Sequence, residues 1–226
     1  MICHFIFPCY FFLVRDTFYI IVLEKQGEFI KMLCFFSVLV AYVLGSIPSG
    51  LILTKLSGRG DLRKVGSGNI GATNVMRVGG LRMAGLVWIL DMAKAMIAIA
   101  LGWWIAGVGF GAWCGFFAVL GHCFPVWLRF RGGKGVSCLF GTMLAINPII
   151  FVACGLEWLI VALTSGKSSA GAAVVFVLYP ILGFVMNETV GWAFLAISIL
   201  CIIRHRENIL RLWRGEESSI EWRWKK

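Results

Sequence analysis

The sequence predicts an all-α integral membrane protein, a polytopic bundle of about seven transmembrane helices, several of them short. Of its 226 residues, 60% are hydrophobic and only 14% are charged, and the mean hydropathy is +0.88. Soluble domains are about 45–50% apolar and about a quarter charged. A globular domain of this length could not bury so much apolar surface, so the composition excludes a soluble enzyme, a disordered chain and a secreted disulfide scaffold.

The chain is strongly basic, with 21 Lys and Arg against 11 Asp and Glu, a net charge of +10. Sixteen of the 21 basic residues lie in the segments 55–82, 129–134 and 204–226. Clustering in loops between apolar runs is typical of cytoplasmic loops that follow the positive-inside rule, so we do not expect nucleic acid as a partner. The eight cysteines form no C-x-x-C pair, and neither a zinc site nor a disulfide framework is indicated.

The three basic segments also predict the topology. If all three are cytoplasmic, the chain crosses the membrane an even number of times between residues 135 and 204. Two crossings would need helices of about 30 residues, well above the ~20 that span a bilayer. Four short helices are therefore predicted, in addition to three earlier ones counted from Met32, with the N-terminus outside and the C-terminus in the cytoplasm. The predicted helices cover 33–53, 83–105, 108–128, 136–148, 149–164, 171–186 and 189–203.

Three regions follow from this pattern. Residues 1–31 form a hydrophobic N-terminal extension, which is either an extra span or a stretch translated upstream of a true start at Met32, and we favour the upstream start. Residues 32–203 form the membrane bundle, with cytoplasmic loops at 55–82, 129–135 and 165–169. Residues 204–226 form a basic cytoplasmic tail. Because these loops and the start of the tail face one compartment, any chemistry is expected there.

The first loop contains a glycine-rich stretch, GSGNIGATNVMR at 66–77. It matches G-x-G-x-x-G, but no buried strand precedes it, so the dinucleotide-binding interpretation fails. Closely spaced glycines could still bring backbone amides near an anion, and a helix beginning near Asn69 would direct its positive end at it. On that helix Thr73 and Arg77 would share a face with Asn69. The alternative is a flexible turn with a solvated arginine.

The second loop places three glycines around one lysine, in the stretch Gly132-Gly133-Lys134-Gly135. The P-loop spacing is absent, so a nucleotide site is not expected. A phosphate held by backbone amides and one ammonium group remains compatible with these residues, and a plain basic turn is the alternative.

Other polar residues lie within or beside apolar helices. His205 and Asn208 are three residues apart and share a face if the last helix continues beyond residue 203. His122 is expected to be a packed hydrogen-bonding residue, and Asp91 and Lys94, three apart within the membrane, are expected to pair with each other. No histidine is followed five residues later by aspartate, so the H-x-x-x-x-D pair of soluble-domain acyltransferases is absent.

Four motifs in order carry a resemblance to a known family. They are GSIPSG at 45–50, GSGNIGATNVMRVGG at 66–80, GHCFPVWLRFRGGKGV at 121–136 and RHRENILRLWRG at 204–215. This arrangement resembles the bacterial acyl-phosphate:glycerol-3-phosphate acyltransferase family (PlsY-type) over about 32–215. The resemblance implies transfer of a fatty acyl group from acyl phosphate to the 1-hydroxyl of sn-glycerol 3-phosphate, giving lysophosphatidic acid and phosphate, the first acylation of phospholipid synthesis. It implies a bacterial inner-membrane enzyme with a cytoplasmic site, no cofactor or metal, and no obligate protein partner.

The resemblance also implies which residues form the site. The catalytic positions would be Ser67, Arg77, Lys134, His205 and Asn208. The substrate- or phosphate-binding positions would be Gly66, Gly68, Asn69, Asn74, Gly132, Gly133, Gly135 and Ser169. In many members the turn near Ser169 carries Ser-x-x-Ser, whereas here Ala172 stands at the second position. The alternatives from other classes are a transporter or channel for a phosphorylated solute and a non-catalytic scaffold.

Overall fold

The computed structural model describes residues 27–220, which are helical and contain no strand within that range. Helices α1 and α2 are separated by a break at Ser46–Pro48, and short 3₁₀ turns follow at Leu62–Lys64 and Val126–Leu128. The all-α fold class is thereby confirmed. The helices are α1 (27–45), α2 (Ser49–Leu56), α3 (Ala72–Cys123), α4 (Val136–Ile146), α5 (Pro148–Ser165), α6 (Ser168–Met186) and α7 (Glu188–Trp213).

The chain divides into two compact units, Met1–Phe36 and Ser37–Lys226. In the first unit, the described residues 27–36 form the beginning of α1, where Lys31 Nζ lies 2.8 Å from Glu28 Oε1. Most of the predicted N-terminal extension, residues 1–26, lies outside the described residues, as does the end of the tail at 221–226. The predicted division into three regions therefore stays a prediction.

Helix α3 is a helical hairpin. Its backbone leaves helical geometry at Ala106 and at Gly107, where φ is +82°, a left-handed value that favours glycine. The two halves then pack closely on each other, because a Cβ on Gly102 would approach Cys114 Sγ to 2.5 Å, and one on Gly111 would approach Ile99 O to 2.9 Å. The prediction of two helices meeting near residues 106–107 is confirmed.

Five helical stretches of the described residues are long and apolar enough to cross a membrane, judged by length and composition. They are Gly27–Leu56, Ala72–Leu128, Pro148–Ser165, Ser168–Met186 and Glu188–Trp213. The second contains the hairpin, and α4 is an apolar helix of 11 residues, about 16 Å long, which is short for a bilayer. The count of seven crossings and the orientation stay predictions.

The turns joining the last helices have clear local causes. Asn147 and Asn187 each cap the following helix, since their side-chain oxygens accept hydrogen bonds from Ile149 N and Thr189 N at 2.8 and 2.9 Å. Pro148 occupies the first turn of α5, where its missing N–H costs nothing. Both turns were predicted from the sequence.

Several predicted helix boundaries are wrong. A short helical stretch begins at Ala72, inside the predicted loop 55–82, but its backbone leaves helical geometry at Gly80, where φ is +79°, and the long apolar helix that follows begins close to its predicted start at 83. Helix α7 continues to Trp213, ten residues beyond its predicted end at 203. Charged residues ended the predicted helices, but arginine and glutamate are good helix formers and extend them past the apolar zone.

Glycines allow the helices of this unit to pack at backbone distance. A Cβ on Gly45 would collide with the carbonyl of Ala118, and one on Gly121 would collide with the carbonyl of Tyr42. The Tyr42 hydroxyl also donates to Phe124 O at 2.7 Å, and Lys94 Nζ donates to Ile47 O at 2.9 Å. Small residues with buried polar contacts are the usual means of holding helices together in a membrane.

We expect Gly121→Ala to destabilise the protein by about 1–3 kcal/mol, because the added methyl group meets a backbone carbonyl that cannot turn aside. Gly85→Ala is the matched control, since a Cβ there would have no heavy atom within 4 Å. The thermal unfolding midpoint of each variant in detergent measures the effect. An equal midpoint for both variants would contradict the close packing of α1 on α3.

Candidate active site

Four polar segments converge at one end of the bundle, as predicted, and surround two adjoining cavities. The polar cavity, about 700 Å³, is lined by the glycine loop 66–69, by Gly132 and Lys134 and by the end of α7. The apolar groove, about 520 Å³, extends from the same place between α3, α4 and α5. Both cavities are lined by Ser67, Asn69, Arg77, Lys134, Arg211 and Ser218.

The glycine loop is held by the buried side chain of Asn74. Its Nδ2 donates to Leu62 O, Val65 O and Asn69 O at 2.9–3.2 Å, and its Oδ1 accepts from Ser67 N at 3.0 Å. Gly66 and Gly68 have φ of +62° and +69°, left-handed values that the tight loop requires. Asn74 was predicted to bind substrate, and in this structure its amide shapes the loop that presents Ser67.

The arginine of the first loop lies where it was predicted. Arg77 is exposed and lines both cavities, and its Nη2 donates to Ser218 Oγ at 3.1 Å. Thr73 is on the same helical face and lines the apolar groove. Asn69, by contrast, precedes the helix, because its Oδ1 accepts from Gly71 N at 2.9 Å and forms a turn. The expectation that a helix begins near Asn69 is therefore wrong by three residues.

The second loop is clamped by an arginine that the sequence analysis did not single out. Arg204 donates through Nε to Gly133 O and through Nη2 to Gly132 O, both at 3.0 Å. On the other side, the amides of Gly132 and Gly133 donate to Cys123 O and His122 O at 3.1 and 3.0 Å. These contacts tie the loop to both α3 and α7 and fix the position of Lys134 between them.

This bonding changes the expected role of the glycine amides. We expected the backbone N–H groups of both loops to approach an anion, but those of Gly132 and Gly133 already donate to protein carbonyls. The amides of Ser67 and Gly68 also have protein acceptors, Asn74 Oδ1 and Val65 O. Gly133 lines neither cavity. Attraction for an anion therefore comes mainly from side-chain cations, and these glycines allow close packing.

A buried polar cluster supports the second loop from inside α3. Lys94 Nζ lies 2.8 Å from Asp91 Oδ1 and 3.0 Å from His122 Nδ1, which confirms the predicted pairing of Asp91 with Lys94. A side chain on Gly133 would overlap the His122 ring, so the loop rests directly on this cluster. Asp91, His122 and Cys138 lie close enough to offer three metal ligands, but the Lys94 ammonium already neutralises the carboxylate.

Helix α7 supplies the other two predicted catalytic residues, both buried. His205 Nδ1 lies 2.8 Å from Cys201 O, and because a carbonyl only accepts, Nδ1 carries a proton and the neutral ring leaves Nε2 as an acceptor. The ring packs edge-on against Phe176 at a centroid distance of 5.0 Å. Asn208 Oδ1 accepts a hydrogen bond from Lys134 Nζ. The structure thus brings Lys134 and Asn208 into direct contact.

The sequence analysis missed Glu217, whose carboxylate joins three site residues. Its Oε1 accepts from Asn208 Nδ2 at 2.6 Å and from Ser169 Oγ at 2.8 Å, and its Oε2 accepts from Arg211 Nε at 2.7 Å. Only 9% of the residue is exposed. Glu217 lies in the basic tail beyond α7, where no motif or periodicity distinguished it from its neighbour Glu216.

Residues of the tail segment 216–220 line both cavities. Besides the contacts of Glu217, Ile220 N donates to Gly166 O at 2.7 Å, and Ser218 accepts from Arg77 as described above. The tail therefore connects α7 to the α5–α6 turn and to the start of α3.

Partial burial and neighbouring charges shift the pKa values of Lys134 and Glu217 at this end of the bundle. Burial, and secondly the positive charge of Arg211, lower the pKa of Lys134 below that of an ordinary lysine. Although burial alone would raise it, the pKa of Glu217 lies below its ordinary value because of hydrogen bonds from Asn208, Arg211 and Ser169. Glu217 is thus the counter-ion of a cationic cluster.

We expect Glu217→Gln to lower the free energy of unfolding by about 1–3 kcal/mol at neutral pH, because three donors lose a charged acceptor. Since folding lowers this pKa, the stabilisation is complete above the unfolded-state pKa and is lost as pH falls through the folded-state value. Denaturant unfolding across acidic pH measures the difference, which should shrink on acidification. Glu216→Gln, at the exposed neighbour, is the control, and equal effects at both positions would refute the assignment.

Comparison with known proteins agrees with this geometry. A family model described as glycerol-3-phosphate acyltransferase matches residues 35–215. The glycerol-3-phosphate acyltransferase of Rhizobium etli is 44% identical over 186 residues, which cover 80% of this chain and 88% of that protein. The protein of the same name from Dinoroseobacter shibae is 46% identical over 184 residues, covering 80% and 90%.

Two solved structures share the fold. The crystal structure of PlsY (YgiH), an integral membrane glycerol 3-phosphate acyltransferase, in its glycerol 3-phosphate form has a TM-score of 0.78 and 37% identity, covering 82% of this chain and 94% of that one. Its lysophosphatidic acid form has a TM-score of 0.77 and 35% identity, with the same coverage. With a match across most of its length and a shared fold, the chain belongs to the glycerol-3-phosphate acyltransferase family of integral membrane enzymes.

Proposed function

We propose that this acyltransferase takes its acyl group from a fatty acyl phosphate and transfers it to the 1-hydroxyl of sn-glycerol 3-phosphate, releasing lysophosphatidic acid and phosphate. The observation that carries this proposal is the junction of a cationic cavity with an apolar groove at Lys134 and Arg77. An acyl phosphate is an amphiphile with a phosphate next to its reactive carbonyl. Its chain matches the groove and its phosphate matches the cations.

Within the site, Lys134 would hold the phosphate of the donor and stabilise it as it leaves. Arg77, exposed at the cavity edge, would bind the phosphate of glycerol 3-phosphate with its planar guanidinium, in the bidentate geometry that this group favours. His205 and Asn208, held by Cys201 O and Glu217, would orient the acceptor hydroxyl. Ser67 and Ser169 supply hydroxyls at the cavity walls.

The proposed reaction needs no acyl-enzyme. The C1 oxygen of glycerol 3-phosphate forms a bond to the carbonyl carbon, the bond from that carbon to the phosphate oxygen breaks, and the hydroxyl proton ends on the released phosphate. We further propose that the site faces the cytoplasm of a bacterial inner membrane and that this step begins phospholipid synthesis. Because the chain belongs to an acyltransferase family, the transporter and scaffold alternatives are not carried further.

We expect purified protein in lipid to form lysophosphatidic acid from glycerol 3-phosphate with palmitoyl phosphate, but not with palmitoyl-CoA or palmitoyl carrier protein. Lys134→Ala should lower kcat about 10²–10³-fold, the usual cost of removing one group that stabilises developing charge. Lys167→Ala is the matched control, because Lys167 lies in the nearby α5–α6 turn and lines neither cavity. Turnover with palmitoyl-CoA instead would refute the proposed donor.

We also expect the loss of activity at alkaline pH to follow the deprotonation of the Lys134 ammonium group. Its lowered pKa means that the ammonium loses its proton at a lower pH than an ordinary lysine, and activity falls as pH rises through that value. Lys134→Arg keeps the charge at every accessible pH, so any activity it retains should extend to higher pH. Initial rates, corrected for spontaneous acyl phosphate hydrolysis, measure this. An unshifted alkaline limb in the arginine variant would contradict the role of Lys134.

A further inference from the structure

The apolar groove is built from three helices. Helix α3 packs on α4 and α4 packs on α5, so α4 forms the floor and the other two helices form the walls. The wall of α3 presents Leu81, Ala84, Gly85 and Trp88, and that of α5 presents Phe151, Gly155, Trp158 and Leu159. The floor presents Val136, Ser137 and Phe140. None of these side chains is charged. Apart from Ser137 and the bulky aromatic residues, none of them carries a hydrogen-bonding group, so this lining fits a hydrocarbon chain.

The groove has a definite far end. Helices α3 and α4 both begin beside the polar cavity, and α5 ends there. The distance from the polar cavity therefore increases with residue number along α3 and α4 and decreases with residue number along α5. The deepest lining residue on each helix is aromatic: Trp88, Phe140 and Phe151. The centroid of the Trp88 ring lies 6.3 Å from that of Phe140 and 6.4 Å from that of Phe151, and the two Phe centroids are 6.1 Å apart.

We call these three rings the end wall. Trp88 belongs to one side wall, Phe151 to the other and Phe140 to the floor, so a ring from each side of the groove meets the other two at its far end. The floor cannot move aside easily. Phe140 is only 4% exposed and also packs on Trp158 at 6.4 Å, and a side chain on the next residue, Gly141, would collide with Met92 O of α3.

We propose that the end wall of Trp88, Phe140 and Phe151 determines how much of the acyl chain the enzyme binds, and hence its preference among chain lengths. This inference rests on the function proposed above, in which the groove holds the acyl chain. From Leu81 to Trp88 the α3 wall is about 10 Å long, and from Leu159 to Phe151 the α5 wall is about 12 Å long. Methylenes within that length contact protein, and those beyond it leave the groove for lipid.

Gly155 is a second determinant of the same groove. It lies between Phe151 and Leu159 at intervals of four residues, on the face of α5 that lines the groove. A Cβ at Gly155 would have only Phe140 Cε1 nearby, at 4.0 Å, so the space above it is open. A larger side chain there would extend into the groove beside Phe140 and shorten the space open to a chain.

The test measures kcat/KM for a series of acyl phosphates from hexanoyl to octadecanoyl at fixed glycerol 3-phosphate. In the unchanged protein we expect kcat/KM to rise about fourfold for each added methylene until the chain reaches the end wall, and then to level off. Trp88→Ala should increase the chain length at which kcat/KM stops rising, and Gly155→Leu should decrease it. Trp104→Ala, at an 84% exposed tryptophan of the same helix, should leave it in place.

The outcomes separate the two proposals. If the levelling length is the same in Trp88→Ala, Gly155→Leu and the control while turnover persists, the end-wall inference is overturned and the proposed function stands. If the unchanged protein acylates glycerol 3-phosphate with no acyl phosphate of any length, the proposed function itself fails. Should Trp88→Ala not fold, Gly155→Leu and the milder Phe151→Leu test the same wall, with opposite expected shifts.

Discussion

The site depends on keeping several positive side chains close together at the edge of an apolar bundle. Lys134, Arg77 and Arg211 line the same junction, and the partial burial of Lys134 makes its repulsion by Arg211 stronger than it would be in water. Glu217 offsets that repulsion from within the cluster, because its carboxylate contacts Arg211 directly and reaches Lys134 through Asn208. The remaining cationic character matches the two phosphorylated substrates proposed above.

The helices position this cluster through close contacts that only small residues permit. Gly45 and Gly121 bring α1 against the second half of α3, and Gly133 lets the lysine loop lie on His122. His122 is in turn held by Lys94 and Asp91, so a buried ion pair in the membrane supports a loop at the interface. Arg204 completes the support from α7. The loop is therefore fixed by three separate parts of the bundle.

Much of this arrangement was accessible from sequence, for identifiable reasons. Apolar runs separated by basic loops predicted the bundle, and the parity of basic segments predicted that three loops and the start of the tail meet at one end. Two turns were predicted where polar residues interrupt the apolar sequence, and the structure shows that Asn147 and Asn187 there cap the following helices. The extension of α7 to Trp213 was missed, because polar residues there are compatible with both helix and loop. Glu217 and Arg204 were missed because their roles exist only in contacts between distant segments.

The sharing of residues between the two cavities has a kinetic consequence. In the proposed reaction the polar cavity receives a solute dissolved in water and the apolar groove receives a chain dissolved in lipid, so the two reactants reach Lys134 from different phases. The rate depends on the bulk concentration of the water-soluble reactant, but on the mole fraction of the lipid-soluble reactant in the bilayer. Adding inert lipid at constant total donor therefore slows such an enzyme by dilution in two dimensions, while the aqueous reactant is unaffected.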